Sequence, residues 1–269
     1  MIVTVVTPTL NGKDYLEECI LSAERNNSKT VEVEHLIVDG GSTDGTVELA
    51  ESHGLRVLKG KDSGIFDAIN KGSFNSSGEL LGFLGADDVM LPGALDPVVA
   101  LYERSGRRWV VGGIRWIDQR GRSLGELAAP PSWMTPRMHV CLGWNPIMHM
   151  ATYLSCAFYT ELSGFNIDYK VSGDYEMFTR ALSVAPYARL RQPVACFRRT
   201  GANTSATQSA RGDREIQQFA GRYGPRTDFE RRIWRSVLKA RLNFGNPQWL
   251  VSKLASRSRQ RLGGEQAYF

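Results

Sequence analysis

The chain has 269 residues, 42% of them hydrophobic and 23% charged, with a net charge of +5. That length can bury a full core as one α/β domain with a tail, and the composition excludes a wholly disordered or fibrous protein. No run approaches the roughly 20 apolar residues of a membrane-spanning helix, and residues 1–8 lack the basic region and cleavage site of a signal peptide, so they read as a first strand.

Residues 2–7 form a β-branched apolar run, the pattern of a buried parallel strand. A helix opens at Asn11 or Lys13 and runs to about Arg25, burying Leu16, Ile20, Leu21 and Ala23. Residues 34–38 make the second strand. The turn-rich stretch 39–45 follows, where Thr43 or Asp44 can cap a helix over 46–53. A strand at 55–58, a short helix at 64–73 and a strand at 80–84 continue the rhythm, which predicts a parallel sheet with helices on both faces. After Asp88 the pattern changes. A helix is expected over 92–104, two strands at 109–113 and 114–118, and a hairpin turn at 118–121. Residues 128–145, rich in Pro, Met and Trp, read as a long loop. The stretch 173–184 is amphipathic, 194–198 is a late strand, and 201–209 is polar and expected to be mobile.

Cys19, Cys141, Cys156 and Cys196 form no CxxC pair, and with only four histidines a structural zinc site is not expected. They read as reduced thiols of a cytoplasmic protein, mostly packed in the core. Charge is uneven. Residues 226–262 hold ten Lys or Arg against two acids, a balance of +8, which against the total of +5 leaves −3 elsewhere. The basic excess belongs to a tail, and no nucleic-acid partner is expected.

Ligands of open α/β sheets bind at the carboxyl ends of the strands. Asp39, Asp62 and the pair Asp87-Asp88 each follow a predicted strand, and Thr7-Pro8-Thr9 follows the first. Each acid alone could be a turn former or helix cap; their shared position points to a ligand site. Adjacent acids leaving a hydrophobic strand supply the oxygen donors that suit Mg²⁺ or Mn²⁺ when phosphates provide the remaining ligands.

The ordered segments Thr7-Pro8-Thr9-Leu10-Asn11, Val38-Asp39-Gly40-Gly41-Ser42-Thr43-Asp44-Gly45-Thr46, Asp62 through Gly72, and Phe83-Leu84-Gly85-Ala86-Asp87-Asp88 resemble the motifs of inverting family-2 glycosyltransferases with the GT-A fold. His149-Met150-Ala151-Thr152-Tyr153 and Gly173-Asp174-Tyr175-Glu176 resemble the acceptor-side half of bacterial members. The resemblance implies a mostly parallel central sheet flanked by helices. It implies a catalytic domain over 1–225, divided into a nucleotide-binding half (1–90) and an acceptor-side half (91–225), followed by a basic tail (226–269).

It also implies roles. Thr7, Pro8 and Thr9 would line the nucleotide pocket, Asp39 would meet the base or ribose, and Asp62 would close the pocket. Asp67, Asn70 and Lys71 would lie toward the diphosphate. Asp88 would hold a divalent metal, Mn²⁺ or Mg²⁺, with Asp87 facing ribose or donor sugar. Asp174 would be the general base, and its alternative reading is an acid favoured at a helix N-terminus. His149 is a metal ligand, an acceptor contact or a satisfied structural residue. The implied partners are a nucleotide-sugar donor, with UDP expected, and a glycan or lipid-linked acceptor of cell-envelope synthesis. The sequence departs from the family pattern at Leu10, where an aromatic is usual, at Gly40, where a second acid is common, and at Gly85, where many relatives carry Asp or Asn.

A sugar nucleotidyltransferase would need a Gly-rich basic phosphate loop after the first strand, which 7–13 does not supply. A dinucleotide oxidoreductase would need G-x-G-x-x-G, which follows no strand. An inactive nucleotide-sugar-binding protein is disfavoured by the retained Asp88 and Asp174. In the tail, Phe229-Ile233-Val237 and Trp234-Leu238-Leu242 recur at four-residue steps among Arg231, Arg232, Arg235, Lys239 and Arg241, with a second basic piece at 249–261. This pattern suits an anionic membrane surface, or a helix packed on the domain with a solvated basic face.

Overall fold

The computed structural model describes residues 1–245, apart from 202 and 204–206. Its first half alternates as expected: β1 (Ile2–Thr9), α1 (Lys13–Glu24), β2 (Glu32–Asp39), α2 (Thr46–Ser52), β3 (Arg56–Lys59), α3 (Ile65–Phe74) and β4 (Leu80–Phe83). The second half contains β5 (Val89–Met90), α4 (Leu95–Ser105), β6 (Trp109–Ile117), β7 (Ser123–Leu127), α5 (Pro136–Leu142) and β8 (Thr152–Ser155). It ends with α6 (Cys156–Glu161), α7 (Gly173–Val184), β9 (Ala188–Arg198), α8 (Ser209–Tyr223) and α9 (Asp228–Gly245).

The strands form one sheet in the order β3-β2-β1-β4-β8-β6-β9-β5, with β7 paired on β6. The first four strands are parallel. The second half is mixed: β8 runs antiparallel to β4 and β6, while β6 and β9 are parallel. Alternation along β1 sends Val6 into one apolar cluster, with Phe83, Trp109 and Phe178, and Val3 and Val5 into another, with Leu84, Val98 and Val110. Helices cover both faces, so the strand ends are the free edge where loops gather.

Two expectations are corrected. Residues 128–145 are not all loop, because Thr135 accepts a hydrogen bond from the Met138 N–H and Pro136 starts α5, where a missing N–H costs nothing. The strands expected at 109–113 and 114–118 are the single strand β6. Its glycines do not break it; a β-carbon on Gly112 would lie 2.7 Å from Val194, so they permit close passage of β9. The tail's two apolar rows also part company. Leu238 and Leu242 are buried in the main core cluster, and Arg137 pairs with Glu230 at 3.2 Å, so α9 docks on α5. Phe229, Ile233 and Val237 stay exposed. The second basic piece at 249–261 lies outside the described residues, as do parts of 201–209. Among the described residues no helix is long and apolar enough to cross a membrane. Cys19, Cys141 and Cys196 are buried, and all four cysteines are free.

Candidate active site

The parallel pairing of β1 and β2 sets Thr9 beside Asp39 at the carboxyl ends of both strands. Asp39 Oδ2 accepts the N–H groups of Gly41 (2.8 Å) and Ser42 (2.9 Å), which shapes the following turn. Asp39 Oδ1 and the Thr9 hydroxyl are buried without a hydrogen-bond partner. An unpaired buried polar atom costs about 1–3 kcal/mol, so two side by side mark a place prepared for polar atoms of a ligand. The backbone comes close here. A β-carbon on Gly12 would sit 2.6 Å from Thr9 Oγ1 and 3.2 Å from Ala86, and one on Gly40 would sit 2.7 Å from Asp62 Oδ2. Thr9, Asp39, Asp62 and the loop after β4 therefore share one rim.

That loop carries Asp87 and Asp88. Asp88 is buried, and its Oδ1 accepts the Arg198 N–H at 2.9 Å. Asp87 Oδ2 accepts from Asn203 Nδ2 at 3.1 Å. Each carboxylate keeps its other oxygen over Gly85: a β-carbon there would lie 2.8 Å from Asp88 Oδ2 and 3.1 Å from Asp87 Oδ1. Burial, then the Asp87 charge, push the Asp88 pKa up to about 7, and burial also raises Asp87. Two hard oxygen donors converging at a site where both charges are disfavoured fit a divalent cation. Among the described residues no three or more His, Cys, Asp or Glu side chains are placed to hold a metal alone. The fit is therefore to a cation that takes its remaining ligands from substrate and water.

Asp174 stands in the first turn of α7, where the helix dipole favours an acid. Its Oδ1 accepts the Tyr175 N–H at 2.7 Å, its Oδ2 accepts from Asn145 Nδ2 at 3.0 Å, and His149 Nδ1 lies 3.8 Å from the same oxygen. Burial opposes a charge on His149, but Asp174, with Asp88 and Asp87 beyond it, more than offsets this and raises its pKa. His149 therefore stands beside the acid of α7 and within the field of the acids after β4. Close packing sets the position of that helix, since a β-carbon on Gly173 would fall 2.6 Å from the Phe66 ring.

Other expected residues are placed elsewhere. Thr7 is fully buried beneath the rim, its hydroxyl 2.9 Å from His35 Nε2 and 3.8 Å from Cys19 Sγ. Pro8 is buried in β1 beside Val38. Asn70 is spent on structure: Oδ1 accepts from Tyr159 (2.6 Å) and the Phe165 N–H (2.8 Å), and Nδ2 donates to the Phe165 carbonyl (2.8 Å). Asp67 accepts the Ser63 N–H and pairs with Lys71 at 3.1 Å, while Lys71 also donates to the Lys61 carbonyl. The pair braces the loop that carries Asp62.

Sequence reasoning missed several supports. Arg198, fully buried at the end of β9, donates to the Asp87 carbonyl at 2.8 Å, pairs with Glu18 and stacks on Tyr15. Glu215 accepts three successive N–H groups, from Lys170 (2.9 Å), Val171 (2.9 Å) and Ser172 (2.8 Å), and so fixes the lead into α7. Asn145 and His139 stand behind Asp174, with His139 Nε2 3.0 Å from Asn145 Oδ1 and His139 Nδ1 2.9 Å from Thr179 Oγ1. Each is a lone polar residue with no motif around it, and a tertiary fold was needed to join them.

The glycosyl transferase family 2 model matches residues 4–154. A glycosyltransferase of Rickettsia conorii is 27% identical over 196 residues, covering 69% of this chain and 32% of that protein. The chain thus matches about a third of that relative's length. Among solved structures, S. aureus TarS 1-349 in complex with UDP-GlcNAc superposes with a TM-score of 0.59 at 21% identity, covering 76% of this chain and 60% of that one. Mannosyltransferase PcManGT from Pyrobaculum calidifontis, in complex with GDP-Man and Mn²⁺, gives 0.60 at 19% identity, covering 95% and 75%. The fold is GT-A.

Proposed function

Because this chain belongs to glycosyl transferase family 2, we propose that it transfers a sugar from a nucleotide donor to a hydroxyl acceptor, with inversion at the anomeric carbon. The observation that carries this reading is the convergence of Asp87 and Asp88 over Gly85, on the rim that holds the orphaned oxygens of Thr9 and Asp39, with Asp174 and His149 paired at 3.8 Å in the electrostatic reach of both acids.

In this reading Thr9 Oγ1 and Asp39 Oδ1 take the polar atoms of base and ribose, and Asp62 borders them. Asp87 faces ribose or donor sugar. Asp88 and Asp87 would hold Mn²⁺ or Mg²⁺, which when bound neutralises charge on the departing diphosphate. The Asp174 carboxylate, held by Asn145 and the Tyr175 N–H, accepts the proton of the attacking hydroxyl. Attack opposite the leaving group in one step inverts the centre. His149, beside Asp174, balances the crowd of acids and positions the base.

UDP is the expected nucleotide, with GDP the competitor, as the two solved neighbours carry one each. The acceptor is a glycan or lipid-linked hydroxyl of the cell envelope. The basic, outward apolar face of α9 suits a protein working on the inner face of an anionic membrane.

The test is thermal stability with UDP, GDP and dTDP, each with and without Mn²⁺. One nucleotide should raise the Tm in a metal-dependent way, and Asp88→Asn should remove the metal-dependent part. No rise with any nucleotide would overturn the reading.

A further inference from the structure

A second feature lies far from these acids. A cavity of about 560 Å³ opens between α9, the start of β9 and the stretch after β7, and Arg189, Arg191, Arg241, Trp133 and Phe244 are among its lining residues. Arg198, which holds the loop after β4, stands at the other end of β9, seven residues past Arg191, or about 23 Å at 3.3 Å per strand residue.

The three guanidiniums have no carboxylate partner among the described residues. Arg189 donates to the Ala129 carbonyl at 2.8 Å, and Arg241 lies 6.0 Å from the centroid of the Trp133 ring. Burial lowers the pKa of Arg189; nearby Tyr187 opposes that, and the charges of Arg191 and Arg241 add to it. Three arginines facing one opening without an acid make a site for an anion, and arginine forks match phosphate oxygens.

What surrounds the opening selects the anion. At about 100° per residue, Phe229, Ile233, Val237 and Phe244 fall within an arc of about 80° on α9. All four are exposed, Phe229 at 73% and Phe244 at 85%. On the same helical wheel Arg241 borders this stripe on the pocket side, while Arg232 and Lys239 border it on the other. An outward apolar stripe with basic flanks lies in a bilayer interface, and the arginine pocket opens at its edge.

We propose that the pocket formed by Arg189, Arg191 and Arg241 binds the headgroup phosphate of an anionic phospholipid while the α9 stripe rests in the bilayer interface. The site rests on the membrane placement proposed above, and the experiment separates the two.

The full chain is sedimented with vesicles of phosphatidylglycerol in phosphatidylcholine and with phosphatidylcholine vesicles alone. Two variants of equal charge are compared, R191Q/R241Q in the pocket and R232Q/K239Q on the far flank; Arg189 is kept because it bonds the backbone. A third, F229Q/I233Q, removes the stripe. Wild type should bind only the anionic vesicles, and F229Q/I233Q should lose binding. The pocket pair should lose about tenfold more affinity than the flank pair, beyond the roughly 1 kcal/mol per charge that any surface cation supplies. Equal losses in the two pairs would overturn the pocket and leave the membrane placement standing. Failure of wild type to bind anionic vesicles would overturn both. Calorimetric titration with sn-glycerol 3-phosphate separates the sources: binding of the soluble ester by a protein that ignores vesicles would contradict the lipid assignment.

Discussion

Asn145 donates a 3.0 Å hydrogen bond from its Nδ2 to Oδ2 of Asp174. Its own Oδ1 accepts the Ile147 N–H and faces His139 Nε2. Since that oxygen can only accept, His139 must carry its proton on Nε2, and a neutral ring then presents Nδ1 to the Thr179 hydroxyl. Burial holds the His139 pKa down at about 4, against the pull of Asn145 and Asp174, which keeps the ring neutral. His139 and Asn145 thus donate in sequence toward Asp174, while the Thr179 hydroxyl donates to the Tyr175 carbonyl at 2.7 Å. Asn145 is a positioning residue in this account. Asn145→Ala should lower kcat by about 10- to 100-fold, in the range seen when a supporting partner of a reactive group is lost, while nucleotide affinity is unchanged. An equal loss in nucleotide binding would show a structural role only.

Thr9→Val tests the nucleotide rim with two effects of opposite sign. Valine keeps the shape and removes a buried hydroxyl that has no partner, so the free protein should gain about 1 kcal/mol of stability. Nucleotide affinity should fall about tenfold, because the hydroxyl is then missing where the ligand needs it. Denaturant unfolding and calorimetry read the two quantities separately. A gain in both would place the ligand elsewhere.

Gly173→Ala tests how α7 is seated. The new methyl would meet the Phe66 ring at 2.6 Å, and overpacking of this kind costs about 1–3 kcal/mol. The helix must shift to relieve it, and Asp174 is the next residue. The expected result is lower stability in urea together with a lower kcat. Phe66→Leu in the same chain should restore part of both, which a purely local strain on the loop would not.

Two buried histidines predict the response to acid. His35 and His139 both have pKa values lowered to about 4 by burial. Unfolding releases them to ordinary values near 6.5, so below that pH the unfolded chain binds more protons. This contribution is full above about pH 6.5 and falls as pH drops toward 4, by up to about 1.4 kcal/mol per pH unit for each histidine. Asp88, with its pKa raised to about 7, works in the opposite sense over the same range, so the histidine effect is read as a difference: the urea midpoint of His35→Gln should gain on that of wild type as pH falls from about 7 to about 4.5. A difference that does not change with pH would contradict the neutral, buried assignment of His35.

The legibility of this protein in its sequence follows the range of the interactions. The β1 to β4 half was readable because its strands and helices are separated by turn signals, and because Asp39, Asp62 and Asp87-Asp88 all fall where strands end. Asp174 was readable as an acid opening an amphipathic helix. What escaped depended on distant partners. Asn70 looks like part of a site motif but is consumed by Phe165 and Tyr159, and Thr7, on the same strand face as Thr9 but one pleat further in, is buried against His35 and Cys19. Residues 128–145 hid a helix because Pro136 starts one as readily as it breaks one. The two rows of α9 were visible in its periodicity, but only packing decides that Leu238 turns inward and Phe229 outward.

In the proposed mechanism Asp174 removes the acceptor proton at a site that binds the donor through other residues. Asp174→Asn keeps the shape of the side chain and removes its basicity. Nucleotide-sugar turnover and nucleotide binding should be measured on the same preparation. Transfer should fall by at least about 10³-fold with nucleotide affinity unchanged. Transfer at the wild-type rate would contradict that role.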